Sequence, residues 1–250
     1  MPDKAKAYVL LVFGTLFWGT NFHFAQVATQ YMSPMGASVV RYFFAVLGLL
    51  FLIPFYTKKV NFKIEIKKAF HHSFILTIIS VVGVFLFNYY FFLGLTKTEA
   101  LNGALIIALN PILTLIFSLF LLKQFIAKKQ LIGVVLSLVG VLIIISKADW
   151  NVIKTFSFNI GDTYMLLATS LFALHHVLMQ KFVMHLNAIV ITIFTTTIAF
   201  LLFVIFSFNE IFIFSELDLD AVFWASIIFM GIAGTTLSFS FWNIGITTIG

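Results

Sequence analysis

Apolar stretches of membrane-spanning length follow one another along almost the whole chain, separated by loops too short to fold into a soluble domain. A helix needs about 20 mostly apolar residues to cross a bilayer. Only helices and closed barrels satisfy their own backbone groups there. Eight stretches meet this description: 8–28, 35–56, 74–95, 101–122, 131–145, 162–184, 188–208 and 221–246, the fifth being short. Connections are tight except 57–73, 146–161 and 209–220. The pattern predicts an all-α integral membrane protein. Composition agrees, because charged residues make up 10% of the chain against about 25% in soluble domains. The first stretch lacks a small-x-small cleavage site and is followed by more spans, so it reads as a retained helix and not a signal peptide. The chain has no cysteine, which excludes disulfide, thiol and Cys-zinc chemistry.

The net charge of +6 is not a nucleic-acid footprint, because the lysines sit in short clusters between spans. With the N-terminus on one side, that side collects Lys4, Lys6, Lys58, Lys59, Lys63, Lys67, Lys68, Lys123, Lys128, Lys129 and Lys181. The other side has only Lys97, Lys147 and Lys154, together with Glu210, Glu216, Asp218 and Asp220. Loops rich in Lys and Arg stay cytoplasmic. The expected placement is therefore a multi-pass protein of the cell inner (plasma) membrane with its N-terminus in the cytoplasm. Its partners would be the lipid bilayer and a small-molecule substrate; oligomeric state is not encoded in any pattern visible here.

The chain also reads as one pattern written twice. A first span rich in small and aromatic residues breaks at Tyr31-Met32-Ser33-Pro34 in one half and at His185-Leu186-Asn187-Ala188 in the other. The third span of each half ends on a Gly-x-Thr figure, Gly94-Leu95-Thr96 and Gly245-Ile246-Thr247. A repeat of five spans starts its second copy on the opposite side of the membrane, which gives an inverted repeat of the kind found in secondary transporters. The predicted organisation is a first repeat over 1–147 and a second over 148–250 with three spans. Repeat symmetry predicts two further spans beyond Gly250, so that eight of ten helices are present and the chain is a truncated product.

Several local patterns resemble the drug/metabolite transporter superfamily and its EamA-type carriers. They are Phe17-Trp18-Gly19-Thr20-Asn21 with Ser33-Pro34 and Arg41-Tyr42, then Asn110-Pro111 to Gly140. Gly161-Asp162 with Leu171-Phe172-Ala173-Leu174 follows, then Gly231-Ile232-Ala233-Gly234-Thr235 to Trp242-Asn243. The resemblance covers essentially the whole chain. It implies two inverted five-helix repeats, cytoplasmic termini and secondary transport of small metabolites by alternating access. It also implies export of amino acids or related compounds as the leading expectation. A drug or nucleotide-sugar carrier of the same superfamily, or a non-catalytic membrane protein, is the alternative.

Polar groups at membrane depth are costly and tend to mark pathways. Trp18 and Asn21 share a face of the first span and could line a central cavity, or Asn21 could seal a tight helix contact. Arg41 is the only arginine; it reads as a counter-ion for a substrate carboxylate or phosphate, or as a side chain reaching outward from a structural pair. Tyr89 and Tyr90 cannot both face a lumen, since neighbours differ by about 100° around a helix; Tyr89 is carried forward as a contact, aromatic-belt placement being the other reading. Asn110 precedes Pro111, which frees a carbonyl and marks either a gating kink or a packing kink. His176 shares a face with Thr169, Ala173 and Gln180 and could bind substrate or carry a proton, or be a hydrogen-bonded interior histidine. Trp242 sits on a small-residue stripe of the eighth span, Gly231-Gly234-Ser238-Gly245, and a second stripe, Gly133-Ser137-Gly140, lies on the fifth; close helix packing is the expected use of both. Together Trp18, Asn21, Arg41, Tyr89, Asn110, His176 and Trp242 are expected to converge on one substrate cavity.

No Asp or Glu lies deep in a span, which argues against a proton-exchanging carrier of cationic drugs. His71-His72 and His175-His176 lack a third metal ligand nearby, and no nucleophile–base pair is visible, so neither an enzyme nor a metal or cofactor requirement is expected. A channel would want a ring of repeated polar residues or a filter segment, and neither is present in the sequence.

Overall fold

The computed structural model describes residues 3–57, 61–124, 127–146, 159–211 and 218–249. Most of the 146–161 connection, part of the acidic 209–220 loop, and Lys58, Lys59, Lys147, Lys154 and Glu216 lie outside the described residues.

The described residues form helices and connecting turns. Helices α1 (Asp3–Tyr31) and α2 (Pro34–Thr57) make the first hairpin. A short α3 (Phe62–His71) precedes α4 (Ser73–Ser80), which passes through a π-helical segment (Val81–Leu86) into α5 (Phe87–Leu95). α6 (Ala100–Ile107) and α7 (Asn110–Leu121) share one span, and α8 (Lys128–Ser146) follows. The second half contains α9 (Ile160–Phe182), α10 (Ala188–Phe206) and the one-turn α11 (Phe208–Ile211). It ends with α12 (Ala221–Gly231), a second π segment (Ile232–Leu237) and α13 (Ser238–Ile249).

Among the described residues, six helical stretches are long and apolar enough to cross a membrane. They correspond to six of the eight expected spans. The other two differ for different reasons. In α8 the apolar run covers only Lys129–Gly140. α9 has the length but carries Asp162, Thr169, Ser170, His175, His176 and Gln180. α9 packs against α5 and α7, and Asp162, Thr169 and His175 are buried in those contacts. The 57–73 connection is also not a plain loop, as α3 occupies it. Ala69 is buried with Leu76, Val183 and Val190 beneath it, while Lys63, Lys67 and Lys68 stay exposed. An amphipathic segment of this kind folds as a helix once an apolar surface is there to receive it.

The helix starts are capped by the residues that break the apolar runs. Asn159 and Asp162 form a reciprocal capping box on α9: Asp162 N–H donates to Asn159 Oδ1 at 3.1 Å and Asn159 N–H to Asp162 Oδ2 at 2.8 Å. Asp162 is fully buried, and Thr98 Oγ1 donates to its other oxygen at 2.6 Å. A Cβ on Gly161 would lie 2.7 Å from the backbone at Lys97 and Thr98, so only glycine lets the α5–α6 turn settle on this helix end. Replacing Asp162 with alanine strands these buried donors and is expected to cost about 1–3 kcal/mol. The thermal unfolding midpoint of the detergent-purified protein is the readout, and an unchanged midpoint would contradict this role. Asp220 caps α12 in turn. The Phe223 amide donates to it at 2.9 Å and the Tyr31 hydroxyl at 2.9 Å. Those bonds, the amide first, hold its carboxyl below the usual carboxylate range against a smaller opposing desolvation effect. The Ser33 hydroxyl donates to the Glu210 carboxylate, a second tie between the first hairpin and the second half.

Packing between the halves is reciprocal. α1 runs along α13, and α9 runs along α5; α12 lies on α2, and α4 lies on α10; α2 and α10 face each other. The reciprocity extends to single residues. Both π segments are six residues long with glycine in third place, Gly83 and Gly234. A Cβ on Gly83 would fall 2.0 Å from Nδ1 of His175 in the second half, and one on Gly234 would fall 2.1 Å from Oδ1 of Asn21 in the first. Asn21 and His175 occupy matching places in α1 and α9. The Ser80 hydroxyl donates to the Thr195 carbonyl at 2.6 Å, and its counterpart Gly231 approaches the Arg41 carbonyl so closely that a Cβ would lie 2.6 Å from it. Trp18 and Phe172, also counterparts, meet edge to face at 6.3 Å. These are the contacts of a two-fold relation between α1–α5 and α9–α13.

The stripe Gly231-Gly234-Gly245 is closely packed, as expected, with Gly245 against Leu11. The stripe on α8 is not: nothing lies within 4 Å of where a Cβ would stand on Gly133 or Gly140. α8 lies at the periphery, with Leu136 at 66% exposure.

Candidate functional site

A cavity of about 320 Å³ lies among α9, α10 and α13, with Val84 of the first π segment also lining it. His176 and Gln180 reach it from α9, Thr192, Thr195 and Thr196 from α10, and Trp242 and Phe239 from α13. A second, more open cavity of about 480 Å³ lies toward α7 and α8 and is lined by Asn110, Pro111 and Thr114. His176 and Trp242 line both cavities, so these two side chains form the wall between them.

The local sequence explains these positions. His176 and Gln180 are one turn apart on α9 and project the same way. Thr192, Thr195 and Thr196 repeat at three- and four-residue spacing on α10, which puts three of its four threonine hydroxyls on one face. Thr192 and Thr195 donate to the carbonyls of Ala188 and Ile191 at 2.9 and 3.0 Å. Each of these hydroxyl hydrogens is thereby committed to the helix backbone. Among the described residues, no Asp, Glu, Lys or Arg lines either cavity. The cavity walls offer an imidazole, a side-chain amide, hydroxyl oxygens and aromatic faces, without formal charge in the acid or base lining positions.

An aromatic layer backs the wall. Trp18 contacts Trp242 at 5.2 Å and Phe239 at 5.4 Å between ring centres. Phe172 lies edge-on to His176 at 4.4 Å and stacks on Phe87 at 4.6 Å. Such pairs fix ring orientation, so His176 and Trp242 are held from behind by both halves.

The seven residues singled out from the sequence do not all meet. His176, Trp242 and Asn110 line the cavities, and Trp18 stands behind Trp242. The Asn110 Oδ1 is buried with no hydrogen-bond partner among the described residues. Asn21 is elsewhere: its Nδ2 donates to the Gly234 carbonyl at 3.4 Å in the α1–π contact. Arg41 is also elsewhere. It is 4% exposed, its Nη1 donates to Asn88 Oδ1 at 2.9 Å and its Nε to Thr235 Oγ1 at 3.2 Å. Asn88 Nδ2 in turn donates to the Tyr42 hydroxyl at 2.7 Å. An arginine at this depth finds side-chain acceptors rather than reaching outward, because the desolvation cost leaves it no cheaper option. Tyr89 is half-buried, pairs with Tyr90 at 5.2 Å and lines neither cavity. Three of the seven, Asn110, His176 and Trp242, line one cavity, the more open one, with Trp18 behind Trp242, and a polar cluster around Arg41 ties α2, α5 and the second π segment together instead.

The threonines of α10 were missed, because threonine is common in apolar helices, where it bonds to its own backbone. Their spacing was the available signal.

Two stretches, residues 5–146 and 159–250, match the family model described as the EamA-like transporter family. The chain belongs to the EamA-like transporter family. Relatives within reach of sequence comparison carry transporter names without a stated substrate. The uncharacterized transporter YyaM of Bacillus subtilis (strain 168) is 30% identical over 97% of this chain and 78% of its own length. The uncharacterized transporter YetK of the same organism is 27% identical over 100% of this chain and 74% of its own. A solved crystal structure superposes with a TM-score of 0.67 at 16% identity, covering 97% of this chain and 79% of that one, which shows a shared fold.

Proposed function

We propose that this EamA-like protein is a secondary carrier that exports a small uncharged or zwitterionic metabolite, an amino acid or related compound, by alternating access. The observation that carries this reading is the cavity wall formed by His176 and Trp242. It offers hydrogen-bonding groups and an aromatic face but no Asp, Glu, Lys or Arg. A volume of about 320 Å³ sits near the lower end of ligand pockets, which run from about 300 to 1,000 Å³. That suits a small metabolite better than a nucleotide sugar, whose diphosphate would also want cations that the cavity lacks. Trp18 contributes by setting the orientation of Trp242, and Asn110 by presenting an unpartnered acceptor to the second cavity. Arg41, Asn21 and Tyr89 have no contact with this space and are assigned to packing. The lysine distribution supports a cytoplasmic N-terminus in the inner membrane, and hence a cytoplasmic entry for export.

The test is counterflow of a labelled panel in proteoliposomes containing the purified chain: neutral amino acids, a cationic dye and a nucleotide sugar. Accumulation of one or more neutral amino acids alone is the expected result. Accumulation of the dye or the nucleotide sugar, with no amino acid moving, would overturn the substrate assignment.

A further inference from the structure

A second built feature lies outside the cavities, where α3 meets the α9–α10 turn. An open groove of about 610 Å³ is lined by Lys67, Lys68, His71, His72 and His185. The His72 ring lies 4.9 Å from that of His185 and 5.6 Å from that of His71. Lys68 is paired with Glu65 at 2.7 Å, and Lys67 has no acidic partner among the described residues. His72 Nδ1 is bonded to the Lys68 carbonyl at 3.0 Å, which turns Nε2 away from the helix backbone. Nitrogen donors from two separate segments, α3 and the α9–α10 turn, thus surround one space, and Glu65 on α3 is already engaged by Lys68.

The surroundings of the groove are apolar to an extent that water would not favour. Phe70 is 63% exposed, Phe74 is 80% exposed and Ile64 is 52% exposed. In a chain that crosses a bilayer these side chains lie at the end of the third span, where acyl chains meet headgroups. Phe70 is held in place edge-on to Phe194 of α10 at 4.9 Å. A cationic groove directly above exposed phenylalanines matches the two parts of a phospholipid, a negative headgroup and its hydrocarbon.

We propose that this groove binds the phosphate headgroup of an anionic phospholipid in the leaflet that holds α3, with its acyl chains against Phe70 and Phe74. Charge complementarity selects the anionic class, and the exposed phenylalanines select a lipid over a soluble anion. Leu186 lines both this groove and the 320 Å³ cavity. A lipid bound here therefore braces the α9–α10 turn at the cavity's edge.

The experiment is thermal unfolding of the purified protein in neutral detergent with added phosphatidylglycerol, phosphatidylcholine or inorganic phosphate. Phosphatidylglycerol is expected to raise the midpoint by several degrees more than phosphatidylcholine, and inorganic phosphate to leave it unchanged. The difference between the lipids should shrink as salt is raised, as for any exposed charge pairing. The double variant Lys67→Gln/His185→Gln is expected to unfold at the wild-type midpoint in phosphatidylcholine and to lose at least half of the phosphatidylglycerol-specific shift. Native mass spectrometry of the same samples should show fewer retained phosphatidylglycerol molecules on the variant. Equal shifts with both lipids, a full shift in the double variant, or the same shift with inorganic phosphate alone would each overturn the proposal.

Discussion

Gly83→Ala is expected to lower the unfolding midpoint of the purified protein, and His175→Gly is expected to remove that penalty. The added methyl would sit 2.0 Å from Nδ1 and 2.1 Å from Cγ of the His175 ring. Rotating the ring does not relieve the clash, since the His175 Cβ, fixed to the α9 backbone, would itself lie 2.2 Å from the added methyl. Overpacking of this kind costs about 1–3 kcal/mol. The better helix propensity of alanine returns at most about 1 kcal/mol, so the clash decides the sign. For a chain of this size each kcal/mol corresponds to roughly 2–4 °C in the midpoint. In a His175→Gly background the space is vacated, and alanine at 83 should be neutral or better. Gly234→Ala should behave the same way against Asn21. A Gly83→Ala protein that melts with the wild type would refute the claim that the π segment and α9 are interlocked. The position matters because π-helical turns recur at functional sites, and here the pair lies at the junction of the two halves.

Loss of either side chain in the shared wall should have the larger effect on transport. Trp242→Ala and His176→Ala are each expected to reduce initial counterflow rates at least tenfold per reconstituted molecule, equivalent to about 1.4 kcal/mol. Trp242→Phe keeps an aromatic face against Trp18 and should fall between alanine and wild type. Tyr89→Phe, which touches neither cavity, should transport normally. Midpoints measured on the same preparations separate loss of function from loss of folding. A His176→Ala protein that transports at the wild-type rate would remove the cavity from the mechanism, whereas rates lost equally in Tyr89→Phe would point to a substrate path on another face. Arg41 is expected to behave differently from both. Its two acceptors come from two different spans, so removing it should lower stability rather than change solute selectivity.

Two readings of polar residues show where sequence reasoning worked and where it ran out. His176 was legible because a histidine in mid-span sharing a face with Thr169 and Gln180 has few reasons to be there. Arg41 was legible as a residue needing a partner, but not as the partner of Asn88, which lies 47 positions away. Asn21 was grouped with Trp18 because both fall on one face of α1. The structure divides them, since Asn21 meets a carbonyl 213 positions away while Trp18 meets Trp242. One helical face is wide enough to touch two neighbours, and which residue meets which is set by the crossing of the helices.

What the sequence determined by itself is the material of the protein: apolar helices of membrane length, breaks at capping residues and lysines clustered between the apolar runs. These follow from local physics, because hydropathy, helix length and capping depend on neighbours in the chain. What only the tertiary structure decided is where polarity goes. It packed the polar α9 against α5 and α7, left the glycines of α8 unpacked, widened the third span of each half into a π segment, and set His176 and Trp242 between two cavities. The reason is that a polar group inside a membrane protein is stable only against a partner. Those partners come from segments far apart in the chain, brought together by packing that no local pattern encodes.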